Sequence, residues 1–175
     1  MNPIQSIEII HLATVALLTG LLLLLSYIDV RERRLPNRLV LAVAGIGLVY
    51  SATLSFYLSQ PSLLKQALLG PLYSGGPALA LALGYLLIRG KEGFGMGDLK
   101  LLAALGFFFG SHGLWLLPLA CVAAALVQIP CLIAAKIPLG NKVVSPAQKF
   151  NKARGQSFAF GPYIAFAALL LAILL

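Results

Sequence analysis

Six apolar runs, at about 9–28, 39–58, 66–88, 99–112, 113–135 and 158–175, fill most of this 175-residue chain. All but the fourth are long enough for a helix to cross the ~30 Å of a bilayer's hydrocarbon. In lipid every backbone N–H and C=O must find a partner inside the protein, so runs of this length are predicted to be α-helices. Composition agrees: 60% of the chain is hydrophobic and 10% is charged, with a mean hydropathy of +0.95, against roughly 25% charged residues in a soluble domain. The expected fold class is all-α, a polytopic membrane protein with six transmembrane helices. No linker-like stretch or internal repeat divides the chain, so residues 1–175 are read as one integral-membrane domain.

The formal charge of +8 raises the question of nucleic acid. Its distribution answers no. The basic residues gather between apolar runs: Arg31, Arg33, Arg34 and Arg38, then Arg89, Lys91 and Lys100, then Lys136, Lys142, Lys149, Lys152 and Arg154, with Lys65 apart. If the fourth and fifth runs are joined by a turn at Gly110-Ser111-His112-Gly113, six crossings bring all three clusters to one side. The positive-inside rule then makes that side cytoplasmic and places both termini outside. One continuous helix from 99 to 135 would instead carry the third cluster across the membrane, against the charge bias.

The N-terminus, Met1-Asn2-Pro3-Ile4-Gln5-Ser6-Ile7-Glu8, lacks the basic segment of a secretory signal, so the first apolar run is expected to be retained. Cys121 and Cys131 lie about 80° apart around one helix and read as packing residues, not a disulfide. With His11 and His112 distant and read as interfacial, they make a poor metal set, and no metal or other cofactor is expected.

Only 5 acidic residues occur in the chain, and two of them stand at the edges of apolar runs. Asp29 closes the first run; Asp98 precedes the fourth, in Gly93-Phe94-Gly95-Met96-Gly97-Asp98-Leu99-Lys100. A carboxylate at such a place is costly and asks for a function. The topology deduced from hydropathy and Arg/Lys alone puts both on the cytoplasmic side. The 12 residues from Leu99 to Gly110 give only ~18 Å of rise, so a turn at the outer surface would recess Asp98 on the order of 10 Å below the cytoplasmic boundary. A later turn, near Pro118, would return it to the surface.

Two carboxylates brought together can hydrolyse an amide. One, ionised, draws a proton from water while the other, protonated, donates to the carbonyl oxygen, and close approach enforces that division. The macrodipole, positive where the fourth helix starts and negative where the first ends, favours Asp98 as the base and Asp29 as the acid, unless Arg31, Arg33 and Arg34 reverse the order. Each acid has a plainer reading as well: Asp98 as a helix N-cap, and Asp29 as an interfacial acid beside an arginine. Gly93, Gly95 and Gly97 either form a turn or admit an extended peptide by main-chain hydrogen bonds.

These residues resemble the type IV prepilin peptidase family, membrane aspartyl proteases of the GxGD type. The resemblance is carried by Ile28-Asp29-Val30-Arg31 with Leu35-Pro36-Asn37, by the run from Gly95 to Gly110 that follows a GxGDxKL pattern, and by Phe160-Gly161-Pro162. It implies a catalytic pair at Asp29 and Asp98, and supporting or substrate-binding positions at Gly95, Gly97, Lys100, Phe160, Gly161 and Pro162. It also implies a prepilin or pseudopilin substrate with a basic leader and an apolar helix, cleaved at the cytoplasmic boundary of a prokaryotic inner membrane. Membrane lipid is the remaining expected partner. Larger members carry an extra N-terminal portion, often with four zinc-binding cysteines, and N-methylate the new terminus. This chain is read as a short form without that portion, for which methyltransferase activity is not expected.

Two rivals stand beside this reading. A serine intramembrane protease would use Ser74-Gly75-Gly76 with His112, but the expected GxSG is absent. A small transporter or assembly scaffold would explain Gly75-Gly76-Pro77, Pro118 and Pro130 as packing contacts or helix breaks. The long stretch from Ile137 to Ser157 is read as a possible lid over the site.

Overall fold

The computed structural model describes residues 3–32, 35–90, 95–136 and 160–174. Among these, regular structure is entirely helical: α1 (Pro3–Glu32), α2 (Asn37–Tyr57), α3 (Pro61–Arg89), α4 (Met96–Phe109), a 3-10 segment (Gly110–Trp115), α5 (Leu116–Lys136) and α6 (Gly161–Leu174). The all-α expectation holds, and each apolar run carries one helix. Four stretches are long and apolar enough to cross a bilayer, namely Gln5–Glu32, Asn37–Tyr57, Pro61–Ile88 and the run Met96–Ile129, while α6 is shorter.

The helices outrun the apolar runs at several ends, because backbone hydrogen bonding does not require apolar side chains. α3 starts with Pro61 in its first turn, where a missing N–H costs nothing. It ends at Gly90, whose φ of +64° is a left-handed cap and whose N–H donates to the Leu86 carbonyl at 2.8 Å.

The decisive turn is at Gly110, where φ is +55°. A Cβ built on Gly113 would lie 3.7 Å from the Gly106 Cα. Residues seven apart on a straight helix are ~10.5 Å apart, so the chain folds back here. One straight helix from 99 to 135 is thereby ruled out, and the expected turn at Gly110-Ser111-His112-Gly113 is the one observed.

α4 packs between α2 and α3, while α6 packs along α1 and α5 and meets α4 only sparsely. Lipid tails are as apolar as leucine, so helices in a bilayer associate through close backbone approach and interhelical hydrogen bonds. Both devices hold α4. Gly70 of α3 faces Gly106 so closely that a Cβ on either would overlap the other's backbone, and Gly75 sits against Ala103. On the opposite flank, a Cβ on Gly47 of α2 would come within 2.7 Å of the Phe108 nitrogen. The Ser74 hydroxyl is directed at the carbonyls of Leu102 (2.8 Å) and Gly70 (3.0 Å), and Ser51 donates to the Phe107 carbonyl at 2.9 Å.

Leu18, Leu22 and Leu25 of α1 join Leu101, Leu102 and Leu105 of α4 and Ile164 of α6 in one core. Outward, large apolar side chains such as Phe56 and Leu87 are 87% and 86% exposed. Exposed apolar side chains of this kind line α1, α2, α3 and α5, which suits lipid rather than water, while α4 is largely enclosed.

Two expectations change, and one rival reading stays excluded. His11 is not a bare interfacial residue: its ring nitrogen Nδ1 and the Tyr50 hydroxyl are 2.6 Å apart, tying α1 to α2 beside Phe108. Cys121 is exposed on α5 instead of packed inside. Ser74 lies fully buried in α3 with its hydroxyl on backbone carbonyls, while His112 is exposed in the 3-10 segment, so the serine–histidine pair is not assembled.

Candidate active site

Three helices begin at the stretches picked out in the sequence, each by the same local device. The Pro36 carbonyl accepts the amides of Leu39 (3.0 Å) and Val40 (3.3 Å) to start α2. The Gly95 carbonyl accepts those of Asp98 (3.1 Å) and Leu99 (3.2 Å) to start α4, and the Phe160 carbonyl accepts those of Tyr163 (3.1 Å) and Ile164 (3.3 Å) to start α6. Pro36 and Gly95 both hold extended backbone before the turn.

These starts meet the last turn of α1. A Cβ on Gly97 would lie 3.2 Å from the Leu35 side chain, placing the beginnings of α4 and α2 in contact. Lys100 Nζ donates to Asn37 Oδ1 at 3.2 Å across the same junction. Gly161, first residue of α6, donates its N–H to Asp29 Oδ2 at 3.0 Å.

Asp29 and Asp98 are therefore brought to one junction, where α1 ends and α2, α4 and α6 begin. They are 6% and 8% exposed, and with Ser51 and Ser74 they make up the buried polar side chains among the described residues. The N-cap reading of Asp98 fails, since Gly95 is the cap residue, no side chain caps α4, and Asp98 lies inside the first turn. Arg31, the arginine nearest Asp29 in sequence, donates from Nη1 to the Tyr27 hydroxyl at 2.9 Å. The first turn of α6 also faces Asp29, so its carboxylate meets the positive end of one macrodipole as well as the negative end of α1's.

Each carboxylate rests over a glycine. A Cβ on Gly95 would fall 2.8 Å from Asp98 Oδ2, and one on Gly161 would fall 2.6 Å from Asp29 Oδ2. Phe160 packs partly buried on the core with its ring 6.2 Å from that of Tyr163, and Pro162 is half-buried in the first turn of α6. All eight residues singled out in the sequence thus lie at one end of the bundle. Leu35 and Asn37 stand there too. They belong to Leu35-Pro36-Asn37, but nothing in their side chains announces that one would brace Gly97 and the other hold Lys100. Gly93, Arg33, Arg34 and the stretch from Ile137 to Ser157, read above as a lid, lie outside the described residues.

A pair of buried carboxylates with separate backbone environments can divide the labour of acid and base. A model of the type IV leader peptidase family matches residues 16–135. A prepilin leader peptidase/N-methyltransferase of Neisseria gonorrhoeae is 30% identical over 146 residues, 83% of this chain and 43% of the relative. The proteins of that name from Escherichia coli strain K12 and Pseudomonas aeruginosa are 32% and 34% identical, covering 85% and 86% of this chain and 57% and 46% of their own lengths. The chain spans about half the length of the curated relatives it matches. No solved structure matches it.

Proposed function

This chain belongs to the type IV leader peptidase family, and on that premise we propose that it is a membrane aspartyl endopeptidase that removes the leader from prepilin-like proteins. The observation that carries the proposal is the convergence of Asp29 and Asp98, both buried where the end of α1 meets the starts of α2, α4 and α6. A scaffold gains nothing from two buried acids at one junction, whereas amide hydrolysis needs both.

The ionised carboxylate takes a proton from water as the water oxygen bonds to the scissile carbonyl carbon. The protonated one donates to the carbonyl oxygen, giving a neutral tetrahedral diol. The carboxyl that took the water proton then passes it to the amide nitrogen as the C–N bond breaks, while the other carboxylate takes a proton from one diol hydroxyl as the C=O re-forms, which releases acid and amine and restores the pair.

The topology belongs to the same proposal. Six crossings with both termini outside place Arg31, Arg38 and Lys100 beside the aspartates on the cytoplasmic face of the inner membrane. The turn at Gly110 leaves α4 with 14 residues, a rise of ~21 Å, which recesses Asp98 below the boundary. A substrate with a basic leader outside the bilayer and an apolar helix within it would present its junction at that depth.

Coexpression with a prepilin, followed by N-terminal sequencing of the product, tests the activity. Asp29→Asn and Asp98→Asn are each expected to abolish cleavage. Normal processing by both single variants would return the chain to the scaffold reading. Single cysteines placed at Ser111 and Arg38, in a background without Cys121 and Cys131, test the orientation: an impermeant maleimide on intact cells is expected to label the first alone.

A further inference from the structure

The amides at the start of α6 can be accounted for one by one. The first turn of any helix leaves amides with no partner inside the helix. In α6, Pro162 has no N–H, and Tyr163 and Ile164 donate to the Phe160 carbonyl. Gly161 alone of the residues from 161 to 164 sends its N–H out of the helix, and it reaches Asp29 Oδ2 at 3.0 Å. The hydrogen bond joins the first helix to the last and is buried. Any side chain here would displace the carboxylate: a Cβ at 161 would stand 2.6 Å from that same oxygen and 3.1 Å from the carboxyl carbon.

We infer that Gly161 is a positioning residue for Asp29, its amide fixing the carboxylate's rotation and its missing side chain leaving the carboxylate room. The inference rests on the peptidase reading. It makes the two acids unlike in origin. Asp98 is held over Gly95 of its own helix start, so its setting is local, whereas Asp29 is set by a helix that arrives from the other end of the sequence. The docking of α6 on α1 is thus a condition of catalysis, and Pro162 contributes by removing the one competing donor in the first two positions.

The test uses the full-length protein reconstituted in liposomes with a synthetic prepilin substrate. Gly161→Ala is expected to lower kcat by about a hundredfold, the scale of an ångström's misplacement of a reacting group, with KM within twofold of wild type. A role in substrate binding alone would move KM instead. Infrared difference spectra supply a readout that a merely structural role would not move: Gly161→Ala is expected to shift a carboxyl band, and the shift is expected to vanish when Asp29→Asn is added. If Gly161→Ala does not fold, glycolic acid incorporated at 161 replaces the amide by an ester, deleting the N–H without adding an atom beyond the backbone. That variant is expected to lose kcat in the same sense. Unchanged kcat in a folded Gly161→Ala or ester variant overturns the inference. Activity retained by Asp29→Asn would overturn the peptidase mechanism itself, so the two failures are distinguishable.

Discussion

Gly95→Ala separates two readings of the glycines ahead of Asp98. In one they admit an extended substrate; in the other Gly95 leaves space for a carboxylate. The added methyl carbon would lie 2.8 Å from Asp98 Oδ2 and 3.6 Å from its carboxyl carbon. Ordinary van der Waals contact begins at 3.4 Å, so the oxygen must retreat by about 0.6 Å. Gly95 has extended backbone (φ −66°, ψ 125°) that alanine adopts without strain, so the chain itself does not object. The cost falls on the carboxylate. If a displacement of about 1 Å costs a hundredfold in rate, 0.6 Å costs about 10- to 30-fold in kcat, or about 1.4–2 kcal/mol of transition-state stabilisation. Cleavage of a fluorescent prepilin peptide by enzyme in liposomes, over a range of substrate concentrations, gives kcat and KM separately. Thermal unfolding in detergent, followed by circular dichroism, checks that the helices are intact. A folded variant with kcat within twofold of wild type would refute the steric reasoning. A rise in KM with kcat unchanged would assign Gly95 to the substrate.

Four further outcomes are expected. Asp29→Asn and Asp98→Asn each reduce cleavage by about 10²- to 10⁴-fold or more, the range for loss of an acid or base, while their helical circular dichroism matches wild type. Ser74→Ala removes hydroxyl contacts at 2.8 and 3.0 Å and destabilises the bundle by about 0.6–1.7 kcal/mol in a denaturant titration, as interhelical hydrogen bonds in membranes do. Gly106→Ala is more damaging, at about 2–3 kcal/mol, because the new methyl meets the Gly70 backbone instead of a movable side chain. Lys100→Met breaks an exposed 3.2 Å hydrogen bond to Asn37 and changes stability by less than about 1 kcal/mol in the same titration; a larger loss would make the pair a structural clamp.

The helices were legible because a bilayer leaves few alternatives: an apolar run of sufficient length has to satisfy its backbone internally. The two aspartates were legible for the converse reason. A carboxylate beside an apolar run is expensive, so its presence is a signal, and hydropathy with basic clusters already brought both to one side. Helix ends were less legible. Hydropathy falls off where polar residues begin, yet Glu32 and Arg89 remain helical, and Asp98, read as preceding α4, lies in its first turn. His11 shows a different limit, since a polar residue near a helix end looks interfacial until its partner, Tyr50, arrives from another helix.

By itself, then, the sequence determined the helical character of the apolar runs and singled out the two acids, while it left the turn after the fourth run open between Gly110 and Pro118. Each depends on local composition or on spacing along one segment. Only the tertiary structure decided what holds those acids. The Gly161 amide on Asp29, the Leu35 side chain on Gly97 and the Asn37 amide oxygen receiving Lys100 join residues far apart in the chain. A glycine's use lies in the atom it lacks, and the neighbour that needs the space is chosen by helix packing.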